Sequence, residues 1–262
     1  MHGEFKAIVR AVRKGAGGEM KMNGKGAWLG AMLLSGMLAG CATDTAVPDF
    51  QALVASADRS DADRANDVRR KPAQLLAFYG VRPGMRVADL GAVGGYNAEM
   101  LARAVGPAGK VYAQNVKILA SRIDERMKKA VMQNVVAVAR DMDDPLPPDA
   151  RDLDLVVFNF FYHDAVHLGV DRAKMNRAIF NALKPGGVYI VADHSGRPGT
   201  GTSETRSLHR IEESVERSEI EAAGFRFVAE GGFLRNPADP RDVIVMKNTV
   251  PNDEFVLKYV KP

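Results

Sequence analysis

Apolar residues fall into two rhythms along this chain. Short, nearly unbroken runs occur at residues 86–90, 110–114, 134–139, 153–158 and 188–192. Their length and β-branched content predict buried parallel strands. Between them, residues 96–105, 118–131, 171–183 and 204–223 place apolar positions at helical spacing, as with Ile118, Leu119, Ile123, Met127 and Val131. Pro72 opens an earlier helix that Gly80 closes. Residues 225–234 and 242–246 predict a closing pair of strands, and residues 249–262 read as a tail whose Phe255, Val256, Leu257 and Tyr259 pack somewhere. Strands separated by helices imply a parallel sheet covered on both faces.

The break between the first strand and its helix is Gly91-Ala-Val-Gly-Gly95, followed by Tyr96. A strand that ends in glycines and runs into a helix start exposes bare backbone to a ligand, which suggests a nucleotide-like cofactor. In such sheets the binding rim lies beyond the carboxyl ends of the strands. That rule gathers Asp89 and the glycine turn, Gln114 and Asn115, Asp141 and Met142, residues 159–164, and Asp193 with His194. The glycine-rich residues 195–203 lack the Gly-Lys-Ser/Thr ending of a phosphate loop and read as a mobile segment near the site or a plain surface loop.

Composition is that of an ordinary soluble domain, with 46% hydrophobic and 26% charged residues among 262. The formal net charge of +4 would invite a nucleic-acid partner, but it is concentrated in the leader. Lys6, Arg10, Arg13, Lys14, Lys21 and Lys25 stand there against Glu4 and Glu19, leaving the rest of the chain formally neutral and without a basic footprint. An uncharged run over residues 27–40, too short to span a bilayer comfortably, then ends in Leu38-Ala39-Gly40-Cys41. Basic start, apolar core and small residues describe a secretory signal peptide over residues 1–40, and Met20 or Met22 would give a more usual length. The ending resembles the lipobox of bacterial lipoproteins. That resemblance implies lipidation of Cys41, a membrane anchor and a place in the cell envelope, by its sorting pattern the outer membrane. The alternative is a buried helix with an incidental cysteine. Cys41 is the only cysteine, which rules out an intramolecular disulfide. Residues 41–71 follow as a tether and a densely charged segment, read either as a solvated stretch with local ion pairs or as a cap over the site.

Asp89-Leu-Gly-Ala-Val-Gly-Gly95 resembles the Asp-x-Gly-x-Gly-x-Gly motif of class I methyltransferases that use S-adenosylmethionine, and Leu183-Lys-Pro-Gly-Gly187 before the fifth strand is similar to their wording there. The likeness covers roughly residues 72–247, and the wider pattern looks like a bacterial group known simply as predicted methyltransferases. It implies an α/β, Rossmann-like, doubly wound sheet of seven strands, mostly parallel with the last antiparallel, in a domain spanning residues 72–248. It also implies S-adenosylmethionine as cofactor. Asp89, Gly91, Gly94 and Gly95 would hold its amino-acid part, flanked by Ala92 and Tyr96. Gln114 or Asn115 would meet the ribose hydroxyls, Asp141 and Met142 the adenine edge, and Asn159 the region of the methyl donor. Val93 stands where the family has its central glycine, and an amide stands where it has a ribose-binding acid.

Methyl transfer from a sulfonium depends on positioning, and a base helps where the acceptor carries a proton. Tyr162, His163 and Asp164 after the fourth strand and His194 after the fifth are the candidates, each also readable as an ordinary loop or capping residue. His209 falls in a predicted helix and reads as structural. The five histidines are scattered, and no metal site is expected from their spacing. The chain thus reads as a methyltransferase of a small-molecule acceptor, with no nucleic-acid partner. The competing reading is a non-catalytic envelope lipoprotein that reuses the fold for ligand or partner binding, since the cofactor is made in the cytoplasm and the leader predicts export. A dinucleotide oxidoreductase is disfavoured, because no Gly-x-Gly-x-x-Gly is present and no acid ends the second strand.

Overall fold

A computed structural model describes residues 46–262, and the leader with Cys41 lies outside them. Three helices come first, α1 (Phe50–Val54), α2 (Asp61–Arg70) and α3 (Pro72–Tyr79). The alternating part follows as β1 (Arg86–Leu90), α4 (Tyr96–Val105), β2 (Lys110–Asn115), α5 (Asp124–Met127), β3 (Val135–Ala139) and β4 (Leu153–Asn159). It continues through α6 (Tyr162–His167), α7 (Arg172–Ala182), β5 (Leu183–His194), α8 (Thr205–Leu208), α9 (Glu213–Ala222), β6 (Arg226–Glu230) and β7 (Glu254–Val260). Among the described residues, no helix is long and apolar enough to cross a membrane.

The strands form one sheet in the order β3-β2-β1-β4-β5-β7-β6. The first five are parallel, and β7 runs antiparallel to both β5 and β6. Alternation along each central strand buries both faces, which is why the strands read as continuous apolar runs. Ala88, Leu90, Tyr112, Val156, Phe158 and Val191 face one core cluster, and Val87, Val111, Ala113, Leu155, Val157 and Ile190 the other. Strand order reverses between β1 and β4, so the crevice beyond their carboxyl ends is the switch point where this fold binds ligands. Register sets Leu90 level with Gln114 and Phe158, and Asn159 level with Ala192, bringing the glycine turn beside the end of β4.

Four sequence expectations change. The segment 118–131 is not one helix but a 3₁₀ turn (Lys117–Ile123), the short α5 and a second 3₁₀ turn (Ala130–Met132). Its apolar stripe has no continuous surface to cover: Ile118 is 89% exposed while Ile123 is buried. The helix expected over 204–223 breaks into α8 and α9, because Ile211 bridges to Ser195 and the buried Arg210 pairs with Asp239 at 2.9 Å. The strand expected over 225–234 stops at Glu230 and turns into a 3₁₀ segment (Gly232–Leu234). The last strand comes from the tail: residues 242–246 leave Met246 66% exposed, whereas Phe255, Val256, Leu257 and Tyr259 are fully buried in β7 between β5 and β6. The boundary drawn at residue 248 therefore cuts off a strand of the sheet itself.

Candidate active site

The turn after β1 is held by its neighbours' side chains. Gly91 has φ +62, and a Cβ there would stand 2.9 Å from the Phe161 ring, so glycine is required on both counts. Val93 has φ +47, a left-handed conformation that costs a β-branched residue roughly 1–3 kcal/mol. Asn115 offsets this: its Oδ1 accepts from the Val93 N–H at 2.6 Å, and its Nδ2 donates to the Val93 carbonyl at 3.1 Å. Gln114 braces the same turn, its Oε1 accepting from the Gly91 N–H at 3.1 Å and its Nε2 donating to the Arg140 carbonyl at 2.9 Å. Each amide spends its oxygen and one N–H on nearby backbone and is buried, so both brace the turn rather than stand open to ribose hydroxyls, which corrects that assignment.

The charged segment 58–71 lies against the turn through α2. Asp63 pairs with Arg126 at 2.7 Å, and Arg126 in turn donates to the Gly94 carbonyl at 2.6 Å and to Glu99 at 2.5 Å. Asp67 accepts from the Tyr96 hydroxyl at 2.5 Å and from the two terminal guanidinium nitrogens of Arg59. These ion pairs dock the end of α2 over a cavity of about 230 Å³ lined by Asn66, Arg70, Asp89, residues 91–94, Tyr96, Asn97 and residues 159–161.

Two ionisable side chains line that cavity, Asp89 and Arg70. Asp89 Oδ1 accepts from Asn97 Nδ2 at 2.8 Å, but the buried Oδ2 has no partner. Burial pushes this carboxyl up to about 7, against a smaller opposing pull from Asn97 and Arg70. Arg70 places its guanidinium 4.1 Å from the centre of the Phe160 ring, and burial, with the neighbouring charge of Arg69, pulls it down to about 10. Asn159 donates to the Tyr79 hydroxyl at 2.6 Å and keeps a buried Oδ1 without a partner. Asp89, Gly91, Ala92, Gly94, Tyr96 and Asn159 thus meet at one cavity, while Gly95 stands just behind it as the residue that opens α4. Arg70 was missed because nothing in a run of alternating charges marks one arginine.

The residues expected at the adenine edge lie elsewhere. Asp141 is exposed and pairs with Lys117 at 3.2 Å, and Met142 is buried in the core beside Val138 and Leu146. The loop after β3 spends its apolar residue on packing and turns its carboxylate to solvent.

The catalytic candidates separate in the same way. Tyr162 points into the core, where its hydroxyl donates to Glu219 at 2.7 Å and accepts from Asn176 at 2.9 Å, so it does not reach the cavity. His163 sits at the start of α6 with its Nδ1 2.6 Å from the buried Asp193 Oδ1, and its backbone N–H donates to Asp193 Oδ2 at 2.8 Å. Burial alone would lower His163, but the Asp193 charge and hydrogen bond outweigh it and raise the imidazole above its ordinary value. His194 packs 5.1 Å from the Phe160 ring and 5.6 Å from the His163 ring, with its Nδ1 3.0 Å from Glu254 Oε1. His209 is not within a helix. It follows α8 with φ +53, and its Nδ1 stands 3.2 Å from His163 Nε2. Asp164 Oδ1 is 3.4 Å from each of these two nitrogens and 3.5 Å from His167 Nε2. His163, Asp164 and His209 therefore bring three potential ligand atoms together, a convergence that the spacing of the histidines in sequence did not lead to. The sequence carries one sign of this that the reading of scattered histidines passed over: His163 and His167 stand four residues apart on one face of α6, although His167 is not one of the three converging residues.

A doubly wound sheet with an antiparallel final pair, a glycine turn after β1 and a charged cavity at the switch point defines the class I methyltransferase fold. A family model described as a methyltransferase domain matches residues 82–228, more than half of the sequence, and the chain belongs to that family. It is 29% identical to a protein-L-isoaspartate O-methyltransferase of Ignicoccus hospitalis over 45% of this chain and 52% of that one. It is 27% identical to a ubiquinone/menaquinone biosynthesis C-methyltransferase of Vibrio parahaemolyticus over 58% of each. The chain thus spans little more than half the length of these curated relatives. Among solved structures, a SAM-dependent methyltransferase from Aquifex aeolicus shares the fold with a TM-score of 0.59 at 19% identity, over 82% of this chain and 100% of that one. An arsenic(III) S-adenosylmethionine methyltransferase from Chlamydomonas reinhardtii does so with a TM-score of 0.53 at 18% identity, over 82% and 73%.

Proposed function

We propose that the protein is an S-adenosylmethionine-dependent methyltransferase of a small-molecule acceptor. The observation that carries this reading is the cavity lined by both Asp89, with one unpartnered carboxylate oxygen, and Arg70, whose guanidinium stacks on Phe160. An acid and a guanidinium lining one cavity suit a zwitterionic amino-acid group, the carboxylate accepting from an ammonium and the guanidinium pairing with a carboxylate. The backbone of residues 91–94 lines the same cavity. When bound, the cofactor would supply an electrophilic methyl carbon, to which the acceptor's lone pair bonds in line as the carbon–sulfur bond breaks and the sulfonium leaves as a neutral thioether. The Asp67–Tyr96 hydrogen bond ties α2 to the turn, and the His163–Asp193 pair, linked through the His194 ring to Phe160 on the cavity wall, would supply the polar group on the acceptor side. Because Gln114 and Asn115 are committed to the turn, the amino-acid half of the cofactor carries more of the affinity than the ribose does.

Calorimetric titration of the full chain with S-adenosylmethionine tests this. Saturable binding that weakens about ten- to a hundredfold in Arg70→Ala is expected, and no binding of the unaltered chain at millimolar cofactor contradicts the reading. The leader supports a further part of the proposal, export and lipid anchoring at Cys41 on the periplasmic side of the envelope. Metabolic palmitate labelling should disappear in Cys41→Ser, and labelling that persists refutes the anchor.

A further inference from the structure

We propose that His163 Nε2, His209 Nδ1 and Asp164 Oδ1 bind a divalent transition-metal ion, with Zn²⁺ the ion their chemistry fits best. The three atoms form a nearly equilateral triangle with edges of 3.2, 3.4 and 3.4 Å. Ligands about 2.0–2.1 Å from a tetrahedral Zn²⁺ are separated by about 3.3–3.4 Å, so the triangle is already one face of such a tetrahedron. Two imidazole nitrogens and one carboxylate oxygen suit a borderline cation better than Mg²⁺ or Ca²⁺, which prefer oxygen alone.

Asp193 supplies an independent observation. It is wholly buried behind His163 and accepts from Nδ1–H at 2.6 Å, which fixes the tautomer that turns the Nε2 lone pair toward His209 and Asp164. A carboxylate behind a ligating histidine is the usual way a protein orients such a ligand and raises its basicity. The three ligands come from two supports. α6 presents His163 and Asp164, and the left-handed residue after α8 presents His209. β5 holds Asp193 behind them. The His163 side chain is 4% exposed, whereas Asp164 and His209 are 22% and 28% exposed, so the group opens to solvent on one side. Three protein ligands leave a fourth position for water or for an acceptor heteroatom. That last use of the ion, unlike its binding, rests on the methyltransferase reading.

The test uses the full chain, stripped with a chelator and titrated calorimetrically with Zn²⁺ alone. One ion per chain at micromolar affinity or tighter is expected. His209→Ala, at a partly exposed position outside any helix, should weaken binding at least about a hundredfold, and Asp193→Asn about ten- to a hundredfold. Co²⁺ in place of Zn²⁺ should give the strong visible absorption of a tetrahedral centre, lost in His209→Ala. Thermal melting of each metal-free variant separates a lost ligand from a lost fold, and Asp164→Asn serves as the second ligand variant. Absent Zn²⁺ binding, or binding unchanged in both His209→Ala and Asp164→Asn, overturns the site. S-adenosylmethionine titrated into the metal-free protein reads the cofactor site separately, so the two proposals fail independently.

Discussion

The cofactor side and the acceptor side of the crevice are built in opposite ways. Around the glycine turn, Asp89, residues 91–95 and Tyr96 come from one contiguous stretch, and the strand-turn-helix geometry places them together. On the far side of Phe160, His163, Asp193 and His209 meet only because β4, β5 and the break before Arg210 converge. The first half is therefore rigidly specified by local sequence, and the second depends on the whole sheet. A second contrast lies within the cofactor side itself. The β1 side presents unpaired charge, whereas the β2 side has spent its amides on bracing the turn.

Breaking the first contrast should give the largest effect. Asp89→Ala and Arg70→Ala each remove a charged partner of the amino-acid group, worth roughly 1.5–3 kcal/mol for a hydrogen-bonded charge. Cofactor affinity measured by calorimetry should fall about ten- to a hundredfold in either variant, and unchanged affinity in both would mean the site is misplaced. Next comes Asn115→Ala, which strips both hydrogen bonds from the strained Val93. It should destabilise the protein by about 1–3 kcal/mol in denaturant unfolding. Val93→Gly, which relieves the left-handed strain, should recover much of that loss in the double variant. If Val93→Gly gives no recovery, the brace does not act through Val93.

A smaller effect carries a sign. The Asp89 carboxyl is raised by burial to about 7 from an ordinary 3.8. The folded state therefore keeps a proton that the unfolded chain loses, and unfolding free energy falls as pH rises between those values. Asp89→Asn should remove that penalty and stabilise the protein by on the order of 1–3 kcal/mol at pH 8, with a smaller gain at pH 5. Wild-type cofactor affinity should decline as pH drops through about 7, because the protonated acid no longer offers a charge to an ammonium. A pH-independent gain in Asp89→Asn would contradict the assignment. The smallest effect is expected at Asp141, where Asp141→Ala should leave cofactor affinity unchanged because the side chain pairs with Lys117 in solvent.

These contrasts also mark how far the sequence could be read. The strands of the central sheet were legible because burial on both faces leaves runs such as Leu153-Asp-Leu-Val-Val-Phe158. The turn was legible because its glycines and preceding acid are adjacent. β7 was misplaced because its apolar residues sit among Lys258 and Lys261 beyond a proline-rich loop, and its partner strands are far away in sequence. Gln114 and Asn115 were found at the rim, but whether an amide faces a ligand or the backbone beside it is decided by side-chain geometry alone. Arg70 and His209 were invisible as site residues for a related reason. One is a single charge among many, and the other owes its position to a helix break imposed by the Ser195–Ile211 bridge.

The central claim is that the cavity between Asp89 and Arg70 holds an amino-acid group. The most direct measurement compares calorimetric titrations of the full chain with S-adenosylhomocysteine and with methylthioadenosine, which shares the nucleoside and thioether but lacks the amino-acid end. The account predicts that S-adenosylhomocysteine binds at least about a hundredfold more tightly, as two charge-assisted contacts require. Equal affinities would show that the cavity does not recognise that end and would contradict the account.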